Sequence, residues 1–112
     1  MAITVTQIVG PESIAPGIKM AIYSLALDNS WLAAGEAIDL TTDFDYIYSG
    51  SVQQADAIAD LAYKFDLVCD YATAITSTTV KISAYVTSTD TAVADTTDLS
   101  AVGKLTLVVF GA

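Results

Sequence analysis

The sequence lacks histidine and arginine, so its four basic residues are all lysines, against 13 acidic residues. Without histidine the chain cannot build a Ser-His-Asp or Cys-His nucleophile system, and it loses the usual general base and the commonest metal ligand. The formal charge of −9 opposes binding to nucleic acid or to anionic membrane surfaces, because both are bound mainly through cationic side chains. The composition therefore argues against an enzyme, a nucleic-acid-binding protein and a membrane-binding protein.

Long apolar runs and cysteine pairs are missing too. The longest nearly apolar stretch, residues 18–27, is interrupted by Lys19 and Ser24 and is shorter than the ~20 residues that a spanning helix needs. Cys69 is the single cysteine, so no internal disulfide forms, and its apolar neighbours predict a buried, unreactive thiol. Residues 1–6 show no secretory signal, and we expect the chain to fold in a cytoplasm.

Apolar residues, in contrast, are abundant. They make up 54% of the chain when tyrosine is counted as apolar and glycine is not. Counting glycine instead of tyrosine gives the same share, because the chain has 6 of each. By that second count the usual share is ~45–50%, so this chain is unusually apolar. A chain of 112 residues forms one domain around one core. The surplus of apolar surface therefore predicts an interface with other protein chains.

Alternation of apolar and polar residues with a period of two dominates the sequence and is clearest at residues 55–71. The first part of this stretch also suits a helix, so we predict a strand from Asp60 onward. Val80–Val86 alternates in the same way and should pair with it as an antiparallel hairpin. The five other predicted strands are Ile3–Val9, Ile18–Leu27, Ala37–Leu40, Phe44–Tyr48 and Lys104–Phe110.

Seven short strands separated by turn residues predict an all-β domain spanning residues 1–112, an antiparallel β-sandwich or a jelly-roll-like fold. We predict turns at Gly10-Pro11 and Ser49-Gly50, a long exposed loop at Thr87–Thr97, and one helical turn capped by Asp98. Residues 1–17 form either an ordinary edge strand or an extended arm that adds to a neighbour's sheet.

Carboxylates are the remaining candidates for chemistry. The groups Asp39, Asp43, Asp45 and Asp90, Asp95, Asp98 could supply oxygen ligands to calcium, but neither follows the EF-hand spacing. The pairs Asp43/Asp45 and Asp66/Asp70 have the spacing of any polar strand face, whereas acid–base catalysis also needs a cleft. We expect solvated carboxylates and no cofactor.

Aromatic residues are the strongest candidates for partner contacts, because tryptophan and tyrosine are enriched in binding hot spots. Trp31 follows a polar turn, and Tyr46 and Tyr48 alternate with Ile47. The alternative for Trp31 is that it fills the core. With two residues of the first strand added, the predicted interface residues are Ile3, Val5, Trp31, Tyr46 and Tyr48.

Three features resemble the head decoration, or cement, proteins of tailed phages. They are the start at Met1–Val5, the strand Tyr63–Leu67 with its hairpin into Val80–Ile82, and the ending Asp98–Gly103 followed by Leu105–Phe110. The resemblance implies a β-rich virion protein without catalytic residues, often a homotrimer, that sits on the capsid exterior and clamps adjacent capsomers of the major capsid protein. The alternatives are a carbohydrate-binding module and a surface-layer or pilus-like subunit.

Overall fold

The chain folds into two antiparallel β-sheets that pack against each other in the computed structural model. The structure describes residues 3–27, 30–31, 35–54, 63–69, 78–102 and 104–112. The predicted all-β class and the sandwich are confirmed. The strands are β1 (Ile3–Ala15), β2 (Ile18–Leu27), β3 (Glu36–Asp39), β4 (Ile47–Gln54), β5 (Tyr63–Cys69), β6 (Thr79–Val86), β7 (Thr91–Ala92) and β8 (Lys104–Gly111).

The first sheet has the strand order β1-β2-β8-β4, and the second has the order β3-β6-β5, with β7 also paired to β6. Strand β5 pairs along one edge of β6, so β3 and β7 share the other edge, at residues 79–82 and 85–86 of β6. Strands β4 and β5 contact each other. The edge strands β1 and β3 therefore lie at the opposite side of the sandwich.

A single core lies between the two sheets, because successive side chains of a strand point to opposite faces. In the first sheet β2 and β8 bury alternate residues, and in the second sheet β3 and β6 do the same. The ring of Trp31 packs edge-on against Phe65, with centroids 6.3 Å apart. The largest fully buried side chains are Trp31, Phe44, Leu25, Ile82, Leu99, Leu105, Leu107, Val80, Val93 and Val109.

Two local predictions are confirmed. Strands β5 and β6 pair antiparallel, with Leu67 opposite Ile82, and residues 63–68 alternate between half-buried and exposed. The helical turn is a 3₁₀ turn at Ser100–Val102. Its cap is Asp98, whose Oδ1 accepts a hydrogen bond from the backbone N–H of Ser100 at 2.9 Å.

The predicted turn at Gly10-Pro11 is wrong, because β1 continues through both residues to Ala15. Proline lacks the N–H that a central strand needs, but β1 is an edge strand and is irregular on both sides of Pro11. The chain reverses at Pro16-Gly17, where Gly17 has a φ of 75°. Residues 3–15 thus form an edge strand paired with β2 of the same chain rather than a detached arm.

A further turn prediction is also wrong, and one loop prediction is only partly right. Ser49-Gly50 lies inside β4, so the strand predicted at Phe44–Tyr48 is displaced toward the C-terminus. The loop predicted at Thr87–Thr97 is exposed at residues 87–92 and 94–96, but it contains the two-residue β7, and Val93 within it is buried. The predictions for Asp70, for residues 55–62 and for the Cys69 thiol fall outside the described part of the chain.

Gly50 lets the second sheet approach the first. A Cβ at this position would lie 2.7 Å from Leu67 Cδ2 and 2.7 Å from the backbone oxygen of Val108. We therefore predict that Gly50→Ala lowers the free energy of unfolding by about 1–3 kcal/mol through overpacking, as measured by urea denaturation.

Gly10→Ala is the matched control in an edge strand, since a Cβ there would meet nothing closer than Gln7 Nε2 at 3.9 Å. We expect this variant to stay within about 0.5 kcal/mol of the parent chain. Equal stability of the two variants would contradict the packing described at Gly50.

Candidate interaction surface

The outward face of the two central strands of the first sheet carries no charged side chain between its ends. The register places Met20 opposite Phe110, Ile22 opposite Val108, and Ser24 opposite Thr106. We call this surface the uncharged face; its residues, all half-buried, are Met20, Ile22, Ser24, Ala26, Thr106, Val108 and Phe110.

The flanking strands extend the uncharged face with small polar residues. In β1, Thr4 and Thr6 lie opposite Ala26 and Ser24, and in β4 the residues opposite Phe110, Val108 and Thr106 are Ser49, Ser51 and Gln53. Charges occur only at the two ends, where Glu12 pairs with Met20 and Lys104 with Ala26. A shallow depression of about 340 Å³, lined by Thr4, Thr6, Ile8, Ser24, Ala26 and Lys104, lies at the Lys104 end.

The outward face of the second sheet is different, because charged residues alternate across it. Lys64 lies opposite Tyr85, Asp66 opposite Ser83, and Lys81 opposite Val68. Lys64 also forms an ion pair with Asp90, which lies in the turn between β6 and β7. The two outward faces of the sandwich thus differ sharply in charge, and only the first is suited to dry contact with another protein.

The structure separates the predicted interface residues into two groups. Val5, Tyr46 and Tyr48 are 40%, 40% and 41% exposed, whereas Ile3 and Trp31 belong to the core. Trp31 is drawn inward because its backbone pairs with the segment before the 3₁₀ turn, through bonds with Thr96 and Thr97. Its ring is therefore not available to a protein partner. It is also not available to a sugar, as the carbohydrate-binding alternative would require.

The uncharged face was missed by sequence reasoning, although a signal was present. Strands β2 and β8 do not alternate between apolar and charged residues as β5 does, and instead carry Met20, Ile22, Val108 and Phe110 between their buried positions. A strand that is apolar on both sides predicts burial of both faces. Within the described residues, however, the second sheet covers only the inward face of β2 and β8 and leaves their outward face uncovered.

At least four of the six candidate calcium ligands bond to other residues of the chain, two of them within their own loops. Asp39 accepts hydrogen bonds from the side chain and backbone of Thr41, Asp98 accepts two from Ser100, and these bonds lower the pKa of both carboxyls. Asp90 pairs with Lys64. Among the residues that the structure describes, no group of three acidic or cysteine side chains could hold a metal ion.

Asp43 has a structural role at one end of the sandwich. Its Oδ2 accepts a hydrogen bond from the hydroxyl of Tyr23 at 2.6 Å and another from Gln7 Nε2 at 3.3 Å. Tyr23 is almost fully buried on the inner side of β2. Burial, reinforced by the hydrogen bond and the negative charge of Asp43, raises the pKa of Tyr23. This contact fastens the loop between β3 and β4 to the first sheet.

Comparison with known proteins gives no relative for this arrangement: no protein-family model, curated protein or solved structure matches the chain. In the described part of the chain, no helix is long and apolar enough to cross a membrane.

The Tyr23–Asp43 bond predicts a stability change at alkaline pH. Because the pKa of Tyr23 is higher in the folded chain than the unfolded value of 10.0, its contribution is complete below pH 10 and is lost as the pH rises above that value. Tyr23→Phe should lower the free energy of unfolding at pH 7 by about 1.5–3 kcal/mol and should weaken the loss of stability above pH 10. Denaturation series from pH 7 to 11 measure both effects.

Tyr48→Phe serves as the control, because Tyr48 is exposed and its hydroxyl has no described role in packing. A Tyr23→Phe chain with the parent's stability at pH 7 and the parent's alkaline profile would show that the bond to Asp43 does not fasten the loop.

Proposed function

We propose that this chain is a structural protein that binds neighbouring protein subunits through the uncharged face, and that it decorates the exterior of a viral capsid. In this role each copy spans adjacent subunits of the major capsid protein, and copies associate as trimers. The capsid and the trimer come from the resemblance of the sequence to phage decoration proteins. The uncharged face is the observation that carries the proposal of a structural role.

Charge favours the uncharged face over the rest of the surface. The chain has a net charge of −9, so most of its surface repels other acidic proteins. Ile22, Val108 and Phe110 carry no charge and so do not repel an acidic partner. Removing their apolar area from water on binding is favourable. Large exposed apolar patches on small proteins mark interaction sites.

The size of the face suits a small contact. Along β2 the face runs from Met20 to Ala26 and so spans about 23 Å, and four adjacent strands cover about 19 Å. Their product, about 440 Å² before side-chain relief is counted, is a little over half of the ~800 Å² per partner of a standard interface. A contact of this size suits a weak attachment at each site of a lattice.

Such a protein needs no catalysis to act. A molecule that binds the assembled lattice and not its dissociated subunits stabilises the lattice by mass action. The stabilisation is about 2.7 kcal/mol per site when the free concentration is 100 times Kd.

We predict that the purified chain co-sediments with empty capsids of its virus and raises their melting temperature, and that Val108→Lys reduces binding by about tenfold or more. A lysine at position 108 places an unpaired charge in the centre of the contact, which costs at least the ~1.4 kcal/mol that corresponds to tenfold in affinity. Native mass spectrometry should find a species of three times 11.7 kDa.

Val68→Lys is the matched control, since it makes the same change on the outward face of the second sheet, where Val68 is 48% exposed. This variant should bind capsids like the parent. Emission from the buried Trp31 verifies that both variants fold. The proposal fails if the parent is a monomer that never pellets with capsids, or if Val68→Lys is as harmful as Val108→Lys.

A further inference from the structure

The two sheets differ in width at the edge where β1 and β3 meet. The first sheet has four strands side by side, whereas the second has three across, since β3 and β7 share one edge of β6. Strand β1 therefore extends beyond the second sheet. Val5 shows the consequence: it lies opposite the buried Leu25 and points inward, yet it is 40% exposed.

A groove of about 320 Å³ runs along this edge. We call it the edge groove; it is lined by Ile3 and Val5 of β1 and by Glu36, Ala37, Ile38 and Asp39 of β3. Ile3 and Ile38 form an apolar floor beside the buried side chain of Glu36, and among the described residues β3 pairs only with β6. The edge groove thus combines a largely apolar floor with a strand edge, the two features that bind an extended peptide by strand addition.

We propose that the edge groove binds an extended segment of a partner protein, which adds to the second sheet beside β3 and has apolar residues alternating with lysine or arginine. An inward residue of such a segment would cover Val5, the inward side chain of β1 that the narrower second sheet leaves 40% exposed. A strand occupies about 4.8 Å of sheet width, so a single segment fits the difference.

Charge specifies the outward residues of that segment. Asp39 is exposed and projects from β3 on the outward side, as Ala37 does. Its bonds to Thr41 lower the pKa of its carboxyl, so it remains ionised in mildly acidic solution. A cationic residue directly opposite Asp39 would form a favourable cross-strand pair, and the net charge of −9 disfavours an acidic segment.

Nuclear magnetic resonance of the isotope-labelled full chain tests the proposal with three synthetic heptapeptides. The first alternates valine and lysine, the second has the same sequence with alternate backbone nitrogens methylated, and the third alternates valine and glutamate. The first should shift the amide signals of Ala37 and Asp39 and the methyl signals of Val5, and should slow amide exchange in β3. Methylation and the glutamate exchange should each weaken binding by about tenfold or more.

Val5→Lys and Val68→Lys add the same charge at two exposed positions and separate the site from the net charge. Val5→Lys should lower the affinity for the valine–lysine peptide by about tenfold or more. Val68→Lys should leave that affinity within about twofold of the parent chain's. The proposal is overturned if the lysine peptide leaves the signals of β3 unchanged at millimolar concentration, if the methylated or glutamate peptide binds equally well, or if both variants behave alike. Because the edge groove is separate from the uncharged face, none of these results bears on capsid binding.

Discussion

The arrangement of the molecule depends on one constraint: the side chains of a β-strand must alternate between two faces, and the central strands β2 and β8 are apolar on both. Their inward residues, from Ala21 to Leu27 and from Leu105 to Val109, form one half of the core. The second sheet can cover only one side of the first. The geometry therefore leaves Met20, Ile22, Val108 and Phe110 at the surface. The chain as a whole contains more apolar residues than one core requires.

The charges of the molecule are distributed around this constraint. Lys64, Asp66 and Lys81 lie on the outward face of the second sheet, while Glu12 and Lys104 mark the two ends of the uncharged face. A net charge of −9 makes most of the surface repel other acidic proteins, and this repulsion is weakest at the uncharged face. At the edge groove the exposed Asp39 adds a negative charge, so the uncharged face and the edge groove differ in charge.

The sequence predicts those parts of the structure that depend on local pattern. The alternation in β5, the pairing of β5 with β6 and the Asp98 cap follow from residues close to one another in the chain. The turn predicted at Gly50 is wrong, and the sequence leaves Trp31 open between core and interface, because the surroundings of both are set by distant residues: Leu67 packs over Gly50, and Thr96 and Thr97 pair with the backbone of Trp31. The uncharged face required knowing which side of β2 and β8 the second sheet covers, and the edge groove required the strand count of each sheet. Neither is a local property.

Hydroxyl-radical footprinting of the chain, free and mixed with capsids, distinguishes which outward face of the sandwich a partner covers. Met20 and Phe110 on the uncharged face and Tyr85 on the opposite outward face are all half-buried and reactive. Oxidation of Met20 and Phe110 should fall on binding, while oxidation of Tyr85 should not change. Protection of Tyr85 with unchanged oxidation of Met20 and Phe110 would show that the uncharged face is not the binding surface.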